Sequence, residues 1–177
     1  AKISPRTLIV SSAEVYGIPK EFPTPETHPI KPVSPYGKSK VEQEKLASEF
    51  VRKHKLCIVI ARSFNHTGPG QSSEFVCSNF ARQVADIGKG RQPPVIKVGN
   101  LGIKRDFSDV RDIVKAYLLM LEKGRAGEAY NVCSGSTFAI GDVIDRLAKI
   151  SGADFKVEQE PSRVMDNEVP VLHGDHS

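Results

Sequence analysis

The sequence contains no tryptophan, three cysteines, and only 7% aromatic residues in a chain of 177. Cys57, Cys77 and Cys133 are odd in number and show no CxxC spacing. That argues against a disulfide framework or a zinc site, and predicts three small, buried, apolar residues. A reducing compartment follows, with the cytoplasm as the default. The five histidines also lack ligand spacing, so no metal is expected. The closing His173-Gly174-Asp175-His176 imitates a ligand cluster, but reads as a ragged chain end. No apolar run approaches the ~18 residues of a membrane span. The net charge is +4, yet Lys and Arg are spread along the chain. A single basic stripe with stacking aromatics is missing, so no nucleic-acid partner is expected. An anionic small molecule would suit the same charge.

What remains is a strand-and-helix alternation. Residues 7–12 (TLIVSS) form a short β-branched run that reads as a buried strand. Pro19, Pro23, Pro25, Pro29, Pro32 and Pro35 exclude regular helix from the next stretch. A helix is predicted from Pro35 or Tyr36 to His54, with Ser34 as N-cap and Pro35 in the first turn. Residues 56–61 (LCIVIA) are continuously apolar, as in a parallel strand buried on both faces. After a glycine-rich loop at 65–71, a helix is predicted over 74–87, capped by Gly88. A strand at 95–98 and a helix over 109–123 follow, the helix with Ile113, Val114, Tyr117, Leu118 and Leu121 at helical spacing. Gly124 stops it. A strand at 130–133, a helix over 140–150 and a strand at 155–159 complete the pattern, which is that of an α/β protein. The opening on a buried-type strand and the closing Gly174-Asp175-His176-Ser177 predict a piece of a longer protein.

Tyr36-Gly37-Lys38-Ser39-Lys40 is a YxxxK spacing near a helix start, so the phenol and the ammonium share one face. A nearby cation favours phenolate and moves tyrosine, ordinarily near ~10, towards acid/base use. The alternative is ordinary i,i+4 surface packing. Ser11-Ser12-Ala13-Glu14-Val15-Tyr16-Gly17 directly follows a strand, and open α/β sheets place ligands at that end. Ser12 could then bond the oxygen that Tyr36 protonates, with Glu14 as a second acid/base group. The alternative here is a turn whose serines satisfy loose backbone groups.

In order, SSAEVYG, PYGKSK, ARSFNHTGPGQ, GN followed by RDFSDVRDIV, and YNVCSG resemble the extended short-chain dehydrogenase/reductases that act on nucleotide sugars. The motifs run from residue 7 to about 134, with a weaker match at 168–175. FNHTGPGQ is most similar to the GDP-6-deoxy-4-keto-hexose reductases and the related GDP-mannose 4,6-dehydratases. The resemblance implies roles. Ser12, Tyr36 and Lys40 would be the catalytic set, with Tyr36 and Lys40 also contacting the nicotinamide ribose of NAD or NADP. Glu14 would be the acid/base that dehydratases use. Asn65 and Arg105 would contact the sugar-diphosphate, and His66 the cofactor side of its loop. Arg105 beside Asp106 could instead be a surface ion pair, and Arg111 with Asp112 reads as one.

The implied fold is the C-terminal part of a Rossmann-like, doubly wound parallel sheet plus a small α/β substrate-binding subdomain. Residues 1–66 would belong to the first and 67–177 mainly to the second, with 101–134 returning to the sheet. The family's N-terminal glycine-rich turn, which receives the cofactor pyrophosphate, is not in this sequence. The resemblance therefore implies about a hundred preceding residues. The dehydratases also carry an arginine just before EV, where this chain reads Met165-Asp166-Asn167; Arg163 is a candidate substitute. The expected activity is reduction of a GDP-4-keto-6-deoxyhexose by a homodimer pairing through the 36–54 helix. An epimerase, a 4,6-dehydratase and a catalytically incompetent binding module remain alternatives. On the homodimer, the alternative is that Val41, Leu46, Phe50 and Val51 pack on the sheet.

Overall fold

A computed structural model describes residues 5–164 and 168–177. In chain order the elements are β1 (Arg6–Ser12), a 3-10 turn (Ala13–Tyr16), α1 (Pro35–His54), β2 (Cys57–Ser63), β3 (Asn65–Thr67), α2 (Val76–Gly88), β4 (Val95–Val98), β5 (Lys104–Asp109), α3 (Val110–Lys123), β6 (Ala129–Val132), β7 (Thr137–Ala139), α4 (Ile140–Ser151), β8 (Lys156–Gln159) and β9 (Val171–Leu172). The fold is α/β, with strands mostly in parallel pairs.

β2 shows why its apolar run is continuous. It lies between β1 and β6, parallel to both. Successive side chains of a strand point to opposite faces. Ile58 and Ile60 accordingly pack with Ala47 of α1, while Val59 and Ala61 pack with Ile113 and Met120 of α3. Each of the buried isoleucines and Val59 stabilises the fold by about 1.5–3 kcal/mol relative to exposure. A second sheet joins β3, β5 and β7, and β9 adds to β5. β4 and β8 form a third, small sheet, whose Ile96 and Val98 share a core with Phe80 and Val84 of α2 and Ile140 and Ile144 of α4.

Several expectations change. The chain end is not ragged. Leu172 is buried, and Val171 and Leu172 pair with Lys104 and Arg105. Gly174 bridges Thr24, and His173 Nε2 lies 3.1 Å from the Gly135 carbonyl. A two-residue strand stabilised by backbone bonds leaves little periodicity to read. Gly88 does not cap α2; the helix runs through it to Lys89, and Gly90 takes the positive φ. The predicted pair Arg111–Asp112 is replaced by Arg111–Asp109 at 2.6 Å, with Asp109 as the N-cap of α3. Adjacent helical residues do not face each other, whereas the cap residue can reach back. Asp106 is not a surface partner of Arg105. It is fully buried and accepts from Ser134 N, Ser134 Oγ and Gly135 N. The cysteines are free and only half-buried. Val114, Leu118 and Leu119 of α3 are exposed, so only part of its apolar face meets the sheet.

Candidate active site

β1 and β2 run parallel in the register Ser12↔Ser63, so both strands open at the same edge. Beyond that edge lies a cleft of about 580 Å³, lined by Ser12, Glu14, Tyr36, Ser63, Asn65 and His66, among others. Five of the seven site residues expected from sequence are therefore in one place, Ser12, Glu14, Tyr36, Asn65 and His66, while Lys40 and Arg105 lie outside the lining of this cleft.

The local folding has identifiable causes. Ser12 Oγ accepts from Glu14 N at 3.2 Å, starting the 3-10 turn that swings Glu14 over the strand end. Gly17 closes the turn at φ +69, where an added Cβ would lie 1.9 Å from the Lys31 carbonyl oxygen. Ser34 Oγ accepts from Gly37 N at 2.9 Å and donates to Glu14 Oε2. The carboxylate thus sits by the N-terminus of α1, where the helix dipole favours negative charge. Gly37 permits this approach, because a Cβ there would come within 2.7 Å of the Glu14 carbonyl oxygen. Gly37→Ala should destabilise the protein by about 1–3 kcal/mol, despite alanine's better helix propensity. Urea denaturation of the two proteins measures this; equal midpoints would show that the turn relaxes freely.

Tyr36 is 51% exposed, and it lines the cleft together with Ser12. The phenol pKa is nevertheless raised, first by partial burial and then by the Glu14 carboxylate; the Ser12 hydroxyl acts the other way. This departs from the expected lowering by Lys40. The ammonium stacks 5.5 Å from the Tyr36 ring centroid and donates to the Val10 carbonyl at 2.9 Å, so it is engaged away from the phenol oxygen. Asn65 and His66 emerge on β3, and His66 Nδ1 donates to the Phe64 carbonyl at 3.0 Å, leaving Nε2 outside that bond.

Arg105 is held by β5 between β7 and β9. Burial lowers its pKa, and the carboxylates of Glu168 and Glu14 oppose that shift. It is thus brought within electrostatic reach of the cleft's acid. Glu168 Oε2 is buried and, among the described residues, has no hydrogen-bond partner. Arg163 pairs with Glu160 beside β4 and β8, and residues 165–167 lie outside the described residues.

Two features went unseen in the sequence. Ser63 and Tyr117 meet at 2.6 Å between their hydroxyls, and Tyr117 is close enough to push up the Tyr36 pKa. Aligning the ends of the two parallel strands would have pointed to Ser63. The second is a buried ion pair behind the site. Glu44 accepts Arg62 Nε at 3.0 Å and Nη2 at 2.8 Å, and Ser11 Oγ at 2.6 Å. Arg62 Nη1 donates to Tyr16 Oη, which donates to Asn131 Oδ1. Glu44 lies at the position after Lys40 on the helical i,i+4 series, which was the available signal. Cys133 is no nucleophile here: burial, then Asp106, pushes its thiol up to about 12.

The family model described as GDP-mannose 4,6 dehydratase matches residues 2–173. GDP-6-deoxy-D-mannose reductase of Pseudomonas aeruginosa is 37% identical over 172 residues, 96% of this chain and 57% of that protein. A solved structure of RMD from Pseudomonas aeruginosa, complexed with NADPH, superposes with a TM-score of 0.93 at 36% identity, covering 99% of this chain and 59% of the other. dTDP-glucose 4,6-dehydratase from Bacillus anthracis, in complex with NAD, gives 0.83 at 25% identity, covering 97% and 53%. The chain therefore spans little more than half the length of these proteins. With strand ends, cleft and motifs in this arrangement, the chain belongs to the GDP-mannose 4,6 dehydratase family of extended short-chain dehydrogenase/reductases.

Proposed function

We propose that the full-length protein is a cytoplasmic, NAD(P)-dependent reductase of the 4-keto group of a GDP-4-keto-6-deoxyhexose. The observation that carries this reading is the placing of Ser12 and Tyr36 on one cleft at the open end of parallel strands, with the Lys40 ammonium against the Tyr36 ring. The likeness to a GDP-6-deoxy-D-mannose reductase and to a structure holding NADPH supports it.

The residues present suit the nicotinamide end of a dinucleotide. Lys40 presents a donor beside Tyr36 at the β1 end, and a cleft of about 580 Å³ falls within the usual size of small-molecule sites. Tyr36 and Lys40 would hold the ribose, with His66 on the cofactor side of its loop. When bound, the reduced nicotinamide supplies a hydride to the sugar's C4. Tyr36 then donates its phenolic proton to the developing alkoxide, and Ser12 shares that oxygen through a hydrogen bond. A raised pKa suits this direction of transfer, because the phenol is a proton donor and remains protonated at neutral pH. Asn65 and Arg105 would hold the diphosphate, where a guanidinium fork matches phosphate oxygens. In this reading residues 1–66 carry the cofactor side and 67–177 mainly the substrate side. Leu46 and Phe50, exposed on α1, would form the seam of a homodimer.

One observation favours a second reading. Glu14 lines the same cleft, and a 4,6-dehydratase needs an acid/base to remove water across C5 and C6. Stoichiometry separates the two. With GDP-4-keto-6-deoxymannose as substrate, the reductase reading expects one NADPH or NADH consumed per product formed. Turnover of a GDP-hexose with no net consumption of nicotinamide would instead establish the dehydratase or epimerase.

A further inference from the structure

Glu44 and Arg62 form a buried ion pair, with side chains 7% and 8% exposed. Other ion pairs among the described residues lie at more exposed positions. Stability alone is a weak reason for such a pair, since well-packed apolar residues of similar volume often serve equally well or better. Its placement suggests another role. Tyr36, Lys40 and Glu44 follow one another at four-residue steps along α1. Ser11 and Arg62 are register partners on β1 and β2, immediately before the partners Ser12 and Ser63 that open into the cleft. Glu44 thus ties the helix to both strands one residue behind the site.

A second tie, from Lys40 Nζ to the Val10 carbonyl, is exposed. It must be released or shared if Lys40 is to contact a ribose. The Glu44–Arg62 fork needs no such release. Its donors are committed: Nε and Nη2 to Glu44, Nη1 to Tyr16 Oη and the Glu26 carbonyl.

We propose that Glu44 and Arg62 are positioning residues: their fork fixes the register of α1 on β1 and β2, and so holds Tyr36 opposite Ser12 while Lys40 is free to exchange partners. The proposal rests on the assignment of Tyr36 and Lys40 as the acid/base pair. It extends that assignment to residues that touch neither substrate nor cofactor.

The test uses the full-length protein with Ser11→Ala, Glu44→Met and Arg62→Met combined, which removes donors and acceptor together and leaves no charge orphaned. A variant that retains the wild-type thermal midpoint is expected to keep its KM for the sugar nucleotide, and to lose about 10²-fold in kcat, the scale of a ~1 Å misplacement. The ring-13C resonance of Tyr36, assigned by its loss in Tyr36→Phe, should shift as the phenol moves relative to Ser12 and Glu14. Arg62→Lys keeps the charge without the fork, and carries the same expectations if the combined variant fails to fold. A folded variant whose Tyr36 resonance is unmoved overturns the proposal, whatever its kcat. The functional reading fails separately, by turnover that is indifferent to Tyr36→Phe, and the resonance still reports on the fork in that case.

Discussion

Tyr36→Phe in the full-length protein should lower kcat for reduction by about 10²–10⁴-fold, the range attributable to a positioned proton donor. Binding of the GDP-sugar should be nearly unchanged, because the substitution removes one oxygen at the mouth of the cleft and leaves Asn65 and Arg105 in place. Single-turnover measurements with saturating nicotinamide cofactor separate the two, since KM alone mixes binding with chemistry. The pH profile adds a second check. The phenol must be protonated to donate, and its pKa is displaced upward by burial and Glu14. Activity is therefore expected to persist on the alkaline side and to fall only as pH passes the raised Tyr36 value. Undiminished turnover by the phenylalanine variant would remove Tyr36 from the mechanism.

The second large effect concerns stability. Arg62→Met alone should destabilise the fold by about 3–5 kcal/mol, because it strands the Glu44 carboxylate in a buried position with its two guanidinium bonds gone. The substitution also removes the donor to Tyr16 Oη and to the Glu26 carbonyl. Denaturant titration of the two proteins at neutral pH reads the loss. A loss below about 1 kcal/mol, the scale of an exposed pair, would mean that water reaches the fork.

The sequence made the long elements legible, and the reasons are physical. α1, with Ser34 before Pro35, and the unbroken LCIVIA of β2 carry strong local signals. The short strands β3, β5, β7 and β9 do not. β5 reads KRDFSD, and its pairing depends on partners far away in the chain. At the cleft, Ser12, Glu14 and Tyr36 are legible from their places near a strand end or a helix start, whereas Asn65 and His66 enter through the resemblance alone. The direction of the Tyr36 shift is not legible there, because it depends first on burial and then on where Glu14 places its carboxylate. Glu44 and Arg62, eighteen residues apart, look like two ordinary surface charges until β1 and β2 bring Ser11 alongside.

The three bonds received by Asp106 also guard against misassembly. β5 alternates, so a slip of one residue would turn Arg105 and Asp106 to the opposite faces. In one direction Arg105 would take the place of Asp106, and a guanidinium would face Ser134 N, Ser134 Oγ and Gly135 N, all of them donors in the native pairing. In the other direction Asp106 would take the place of Arg105 and join the carboxylates of Glu14 and Glu168, which now neighbour Arg105. One slip sets donor against donor and the other acid against acid, so a shifted β5 has no comfortable alternative to the native alignment.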